Sequence, residues 1–390
     1  MKKSGLDRRD FIKGVATSAA VMSALPHEAL AMGNGNVVYE QGPPAEEPKN
    51  VPTRIKFAVA GINHPHIYGM IAAVKRGGGE FASFYVKEPD LAAEFAKRFP
   101  DVKQARSEDE ILQDKSIQLV LSSGIPIDRA PLGIRVMKAG KDYMADKPGI
   151  ITLEQLAEVR KVQAQTKRIY SIAYSERFDN KATVRAGELV KAGAIGKVVQ
   201  TIGMGPHSIG LNPRPAWFFE KSQYGGILCD IGSHQADQFL FFTGSTQADV
   251  VASQVGNLHY SEKYPNFEDF GDTMLRGNNG TGYIRLDWFT PKGLSTWGDG
   301  RLFILGTDGY IEVRKNNDIT KAPGGSHLYL VDQKETRYID TSNQVLPYGP
   351  QVVDDVVNRT ETAMTQAHCF LAMELMLKAQ KNAQKLTFKA

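Results

Sequence analysis

Only two of the 390 residues are cysteine, Cys229 and Cys369, too few for a disulfide framework. Long apolar runs are also missing; none reaches the ~20 residues that cross a bilayer as a helix. Neither sign of charge dominates. There are 47 Lys and Arg against 43 Asp and Glu, a net charge of +4, and no basic stripe of the kind that grips nucleic acid. No internal repeat is present. What the chain does have is length, enough for two domains with cores of their own.

The first residues read as an address. Asp7-Arg8-Arg9-Asp10-Phe11-Ile12-Lys13 puts an arginine pair ahead of a modest apolar stretch, Gly14 to Leu25, and Ala29-Leu30-Ala31 fits a small-residue cleavage site. Residues 1–31 are therefore expected to be a twin-arginine signal peptide and the protein periplasmic. That route carries folded proteins, which suits an enzyme that takes up a cofactor before export. Residues 32–50, rich in Gly, Pro, Asn and Glu, are expected to be a disordered linker or arm.

From Arg54 short apolar runs alternate with helical periods. The spacing predicts strands over 55–60, 81–86, 118–122 and 169–173, and helices over 66–76, 90–98, 128–139 and 153–166. This alternation implies a Rossmann-like, doubly wound parallel sheet over 51–173, a fold that binds ligands beyond the carboxyl ends of its strands. After Tyr174 the pattern changes. A helix over 181–192 gives way to extended segments at 197–205, 248–258, 271–277, 281–289, 301–306, 310–314 and 327–332, with Gly277-Asn278-Asn279-Gly280 as a hairpin turn. Residues 174–390 therefore read as an α+β domain on an open-faced, mostly antiparallel sheet. One helix over 231–242 interrupts the strands, and a last helix over 356–382 packs back across the molecule.

Three segments carry chemistry. In Gly225-Gly226-Ile227-Leu228-Cys229-Asp230-Ile231-Gly232-Ser233-His234, a carboxylate and an imidazole stand four apart, on one face if the segment is helical. That pair is general acid–base equipment, or part of a metal site. Asp146-Lys147-Pro148 closes an apolar strand, where the ammonium of Lys147 can bind a hydroxyl and ease its deprotonation, and Pro148 restricts the lysine's direction. In the first turn, Gly61-Ile62-Asn63-His64-Pro65-His66, only Gly61 matches G-x-G-x-x-G; Asn63 and His66 stand at the other glycine positions. His64 and His66 there could touch phosphate, substrate or metal, or simply cap a helix. Glu88 sits a residue or two late for a ribose-binding acid, and its neighbour Lys87 would suit a 2′-phosphate. Ser123 and Pro126 would form a floor under a nicotinamide.

Taken together, Asp146-Lys147-Pro148 (Glu-Lys-Pro in the family), Gly193-Ala194-Ile195-Gly196-Lys197, the 225–237 segment ending in Asp237, and Phe303-x2-Gly306-Thr307-x-Gly309 resemble the glucose–fructose oxidoreductase / inositol dehydrogenase / MocA family from about Arg54 to the C-terminus. The resemblance implies an NAD(P)-binding domain joined to an open-faced sheet domain, a site between them, and a homodimer or homotetramer. It assigns Lys147, Asp230 and His234 to catalysis. It implies a cofactor site around Gly61, Asn63, His64, His66, Glu88, Ser123, Pro126 and Lys147, with either NAD or NADP. The loop after the first sheet strand supplies His207, Arg214 and Trp217 for a sugar, joined by Tyr174, Arg177 and Asp230 as substrate contacts. No metal is assigned; a fallback set is His207, Asp230 and His234. The implied activity is hydride exchange with a hydroxyl of a sugar, sugar derivative or cyclitol. A redox-neutral, NAD-assisted glycosidase or lyase is a further reading. So is a non-catalytic or metal-dependent glycan-binding protein that has lost its nucleotide. Membrane insertion and nucleic-acid partners are not expected.

Overall fold

The computed structural model describes residues 37–42, 51–210, 214–294, 296–319 and 324–388; the expected signal segment 1–31 lies outside them. The first unit runs β2 (Ile55–Ala60), α1 (His66–Arg76), β3 (Gly79–Tyr85), α2 (Pro89–Arg98), β4 (Lys103–Gln104), α3 (Glu108–Gln113), β5 (Leu119–Ser122), α4 (Pro126–Lys138), β6 (Asp142–Asp146), α5 (Leu153–Thr166) and β7 (Tyr170–Ala173), preceded by a short β1 (Val38–Glu40). The strands β2 to β7 form one six-stranded sheet in the order β4-β3-β2-β5-β6-β7, and every pair is parallel. Its central strands are buried along almost their whole length, as helices on both faces require. Strand addition reverses between β2 and β5, which opens a crevice at their carboxyl ends.

The rest comprises α6 (Ser175–Phe178), α7 (Lys181–Lys191), β8 (Val198–Pro206), a 3₁₀ turn (Ala216–Phe219), α8 (Lys221–Tyr224), α9 (Ile227–Asp230), α10 (Gly232–Thr243), β9 (Ala248–Gly256), β10 (Phe270–Gly277), β11 (Thr281–Asp287), β12 (Arg301–Gly306), β13 (Gly309–Arg314), β14 (His327–Asp332), β15 (Thr336–Ile339), α11 (Tyr348–Asn358), α12 (Gln366–Asn382) and β16 (Gln384–Leu386). A ten-stranded sheet orders them β1-β15-β14-β13-β12-β8-β11-β10-β9-β16 and is mostly antiparallel, with parallel pairs at β11/β8, β16/β9 and β1/β15. Burial alternates along its strands. On β12, Leu302 and Ile304 point into the core while Leu305 is exposed. Helices α7, α10 and α12 cover the inner face.

Three expectations change. Part of the expected linker is ordered: Val38–Glu40 adds a parallel strand to β15, and Glu40 pairs with Arg337. The helix expected over 231–242 is α10, but a further helical turn, α9, precedes it across Ile231, whose backbone stays right-handed helical. The helix expected over 356–382 is two. Arg359 takes a left-handed conformation (φ +58°), and the buried Asp355 carboxylate gathers the Thr360 and Thr362 hydroxyls and the Thr362 and Ala363 amides, turning the chain. Thr365 then caps α12 by accepting from the His368 amide.

Candidate active site

The crevice at the switch point is a groove of about 280 Å³ lined by Gly61, Asn63, Glu88, Ser122, Gly124 and Ile125, among others. Gly61 holds a positive φ of +86°, and a Cβ there would come within 3.0 Å of the Gly124 Cα. The two glycines bring the turns that follow β2 and β5 into contact. Asn63, standing where a second glycine is usual, turns its side chain to donate 3.0 Å to Glu88 Oε1. Glu88 Oε2 is buried without a hydrogen-bond partner among the described residues. A buried carboxylate oxygen with no donor is costly, and a ribose hydroxyl in the groove would supply one. The residues therefore fit a dinucleotide despite the broken glycine pattern. Ser123 is buried and donates to the His64 carbonyl (2.7 Å), pinning the first turn, and Pro126 opens α4. Lys87 pairs with Asp128 at 3.2 Å on the surface.

At the end of β6, two adjacent side chains face opposite duties. Asp146, fully buried, is approached by His64 Nδ1 (3.0 Å), His66 Nδ1 (2.9 Å) and Arg129 Nη2 (3.2 Å). Burial alone would raise its carboxyl. The charges of His66, Arg129 and His64 outweigh burial and hold it well below the usual range. Arg129 also donates to the carbonyls of Gly124, Asp146, Lys147 and Pro148, so one buried guanidinium fixes the backbone on both sides of the lysine. Lys147 Nζ, 6% exposed, donates 2.9 Å to Asp230 Oδ1. Burial pushes the Asp230 carboxyl up, the Lys147 ammonium pulls it further down, and it remains ionised.

His234, one turn on, is 2% exposed. Its Nδ1 has no hydrogen-bond partner among the described residues. Burial, helped by the charge of Lys147 and opposed by Glu176, lowers its pKa to about 3, so the imidazole is neutral at neutral pH. A cavity of about 170 Å³ is lined by His66, Glu176, Asp179, His207, His234 and Lys315, with Trp297 at its wall. His207 contacts the Gly205 carbonyl through Nδ1 (3.0 Å) and packs on Trp288 and Trp297; burial lowers its pKa to about 4. Arg214 lies over the Phe218 ring, and Trp217 packs partly buried beside it.

Two expected substrate contacts do other work. Arg177 is buried in a bidentate pair with Asp237 (2.6 and 2.7 Å), its guanidinium over Phe178 and Phe241, so it braces α6 against α10. Tyr174 is fully buried, donates to the Cys369 carbonyl, and presents its ring edge-on to His234. The fallback metal set His207, Asp230 and His234 does not come together as a metal-binding geometry; among the described residues only His64, His66 and Asp146 do. Sequence reasoning missed Glu176 and Lys315. Their carboxylate and ammonium pair directly, and Glu176 also accepts from Gln235 (2.7 Å). One follows β7 and the other follows β13, and no spacing in the chain links them. Asp146 was visible beside Lys147, but the two imidazoles and the guanidinium gathered around it were not.

Residues 183–312 match the GFO/IDH/MocA C-terminal domain. A crystal structure assigned as an oxidoreductase from Erwinia carotovora atroseptica is 46% identical, superposes with a TM-score of 0.83, and is covered completely by 85% of this chain. A 1,5-anhydro-D-fructose reductase of Ensifer adhaerens is 26% identical over 47% of this chain and 55% of its own length. A scyllo-inositol 2-dehydrogenase (NAD(+)) of Bacillus subtilis is 23% identical over 59% of this chain and 65% of its own. The chain thus spans between about half and two thirds of the curated relatives it matches. Among the described residues no helix is long and apolar enough to cross a membrane.

Proposed function

The chain belongs to the GFO/IDH/MocA oxidoreductase family, and from that premise we propose that it exchanges hydride between a nicotinamide nucleotide and a hydroxyl-bearing carbon of a sugar, sugar derivative or cyclitol. The observation that carries this reading is a buried Lys147–Asp230 pair whose ammonium is near enough to act electrostatically on the buried, neutral His234 that lines the cavity. The relatives named as a sugar reductase and an inositol dehydrogenase support the substrate class.

Bound in the groove, the nucleotide supplies the hydride acceptor or donor. Gly61, Asn63, Glu88 and Gly124 would hold it. The free oxygen of Glu88 suits a ribose 2′-hydroxyl and repels a 2′-phosphate, which favours NAD over NADP. Within the cavity the protein's own groups divide the proton work. His234, neutral and with Nδ1 unpartnered, takes the hydroxyl proton of the carbinol. Lys147 Nζ donates to the oxygen as it gains charge, in a site where burial strengthens that interaction. Asp230 keeps the ammonium aimed through its 2.9 Å hydrogen bond. Glu176 stabilises the imidazolium that forms, since its charge favours the protonated ring. The aromatic walls around His207 suit the apolar C–H faces of a sugar.

Export to the periplasm belongs to the same proposal and is supported by the arginine pair at 8–9. A nucleotide taken outside the cytosol would be tightly bound and regenerated in place. Assembly through the open face of the large sheet is supported by its exposed apolar side chains, among them Val199, Met274 and Leu305.

Fluorescence titration of the full chain with NADH tests the nucleotide reading. Saturable binding is expected, with NADPH weaker, and with Glu88→Ala weakening NADH at least about tenfold while narrowing the gap to NADPH. No binding of either nucleotide would remove the proposal.

A further inference from the structure

The groups that the hydride reading leaves idle stand at the edge of the same cavity. His64 and His66 flank the buried Asp146, and their rings meet edge to face with centroids 4.1 Å apart. One ligand atom from each of the three residues lies within 4.8 Å of the others. His66 Nδ1 is 2.9 Å from Asp146 Oδ1, and His64 Nδ1 is 3.0 Å from Asp146 Oδ2.

The second contact is the informative one. His64 Nδ1 also lies 3.5 Å from the backbone N–H of His66. Among the described residues Asp146 Oδ2, in a residue with no exposure, has no hydrogen bond of good geometry, its nearest cation being Arg129 Nη2 at 3.2 Å. The imidazole and this oxygen thus stand 3.0 Å apart without an aligned hydrogen bond between them. A cation seated among the three would engage both groups. Ligands about 2.0–2.2 Å from a zinc-like ion stand about 3.3 Å apart in a tetrahedron; the two histidine–carboxylate contacts, 2.9 and 3.0 Å, and a full set of ligand atoms within 4.8 Å of one another bracket that spacing. The carboxylate is also supported as a metal ligand usually is. The Lys147 amide donates 2.7 Å to Oδ1, and Arg129 lies behind the group. Access exists on one side only: the His64 and His66 side chains are 18% and 34% exposed while Asp146 is fully covered.

We propose that His64, His66 and Asp146 bind a divalent transition-metal ion, with its remaining positions open toward the cavity that His66 shares with His234. Two imidazoles and one carboxylate suit zinc, cobalt, manganese or iron over calcium or magnesium. Three protein ligands leave room for exogenous oxygens, which neighbouring hydroxyls of a polyol supply. The guanidinium of Arg129, 3.2 Å from the same carboxylate, opposes the ion's charge, so the site holds an exchangeable ion and not a structural one. The proposal is independent of the hydride reading, because metal occupancy is measured without nucleotide.

Chelator-stripped full-length protein titrated with Co²⁺, followed by calorimetry and by the visible ligand-field absorption, tests it. About one Co²⁺ per chain is expected, displaced by Zn²⁺. His64→Asn and His66→Asn should each abolish the visible bands and weaken binding at least about tenfold, while His207→Gln leaves both intact. Thermal melts supply a check on folding: Zn²⁺ should raise the midpoint of the wild type and of His207→Gln, and of neither first-turn variant. Absence of saturable binding by the wild type would overturn the proposal, as would binding that survives unchanged in both first-turn variants.

Discussion

Lys147 and Asp230 are a buried ion pair, and such pairs are seldom kept for stability. Breaking one partner commonly costs 3–5 kcal/mol, whereas replacing both with neutral groups of similar size is often neutral. The two substitutions therefore separate structure from chemistry. Lys147→Met alone should lower the melting point, because Asp230 is left charged and buried. Lys147→Met combined with Asp230→Asn should restore much of that stability and still be inactive. A double variant that turned over at the wild-type rate would strip the pair of any role in the reaction. His234 is the cleaner probe. Its neutral ring has no partner on Nδ1, so His234→Ala removes a proton acceptor and little else. Turnover should fall about 10²–10⁴-fold, the usual share of general acid–base catalysis. Steady-state kinetics would show the loss in kcat, with nucleotide affinity unchanged.

The elements that place these residues differ in how openly the sequence displays them. The parallel strands were legible because Ile55–Ala60 and Leu119–Ser122 are mainly apolar, broken only by Lys56 and closed by Ser122, the pattern of a strand covered on both faces. The hairpin at 277–280 was legible from its turn residues, and the register Arg276↔Thr281 fits it. Lys147, Asp230 and His234 were found because each lies in a compact motif. Glu176 and Lys315 were not, since their pairing depends on how two distant strands are brought together. The break at 359–365 was hidden for a different reason: apolar periodicity runs on through both helices, and the turn is made by a single buried carboxylate. Asp355→Ala leaves several donors without their acceptor. It should destabilise the protein by about 1–3 kcal/mol, read as a shift in the denaturant midpoint. Its neighbour Asp354, in an exposed pair with Arg54, should cost at most ~1 kcal/mol when replaced by alanine. Equal effects would mean that the Asp355 turn contributes nothing special.

For the molecule as a whole, the cleft collects buried and half-buried histidines, and this ties stability to pH. Burial lowers the pKa values of His64 and His234 to about 3 and of His207 to about 4, while in the unfolded chain each titrates near ~6.5. Below that value the unfolded state binds protons that the folded state refuses, so stability falls as pH drops. The loss begins near pH 6.5 and continues to the folded values. Carboxylates held low by cations, Asp146 and Asp230 among them, add their own loss only below about pH 4. Denaturant midpoints measured at pH 7 and pH 5 should therefore differ clearly, with the lower value at pH 5. Equal midpoints would mean that the cleft histidines are solvated and free to charge. The large sheet makes a separate claim at this scale. Light scattering should give a mass of two or four chains, and Leu305→Lys on its open face should shift it toward one.

The central claim is that hydride passes between a polyol carbon and a nucleotide held by this chain. The most direct measurement exposes the full-length protein, loaded with NAD⁺, to sugars and cyclitols deuterated at their carbinol carbons. The protein is then denatured and the released nucleotide weighed by mass spectrometry. The account predicts deuterium on the nicotinamide ring for the wild type and far less for His234→Ala in a single brief exposure. Nucleotide that is retained but stays unlabelled with every substrate would contradict it.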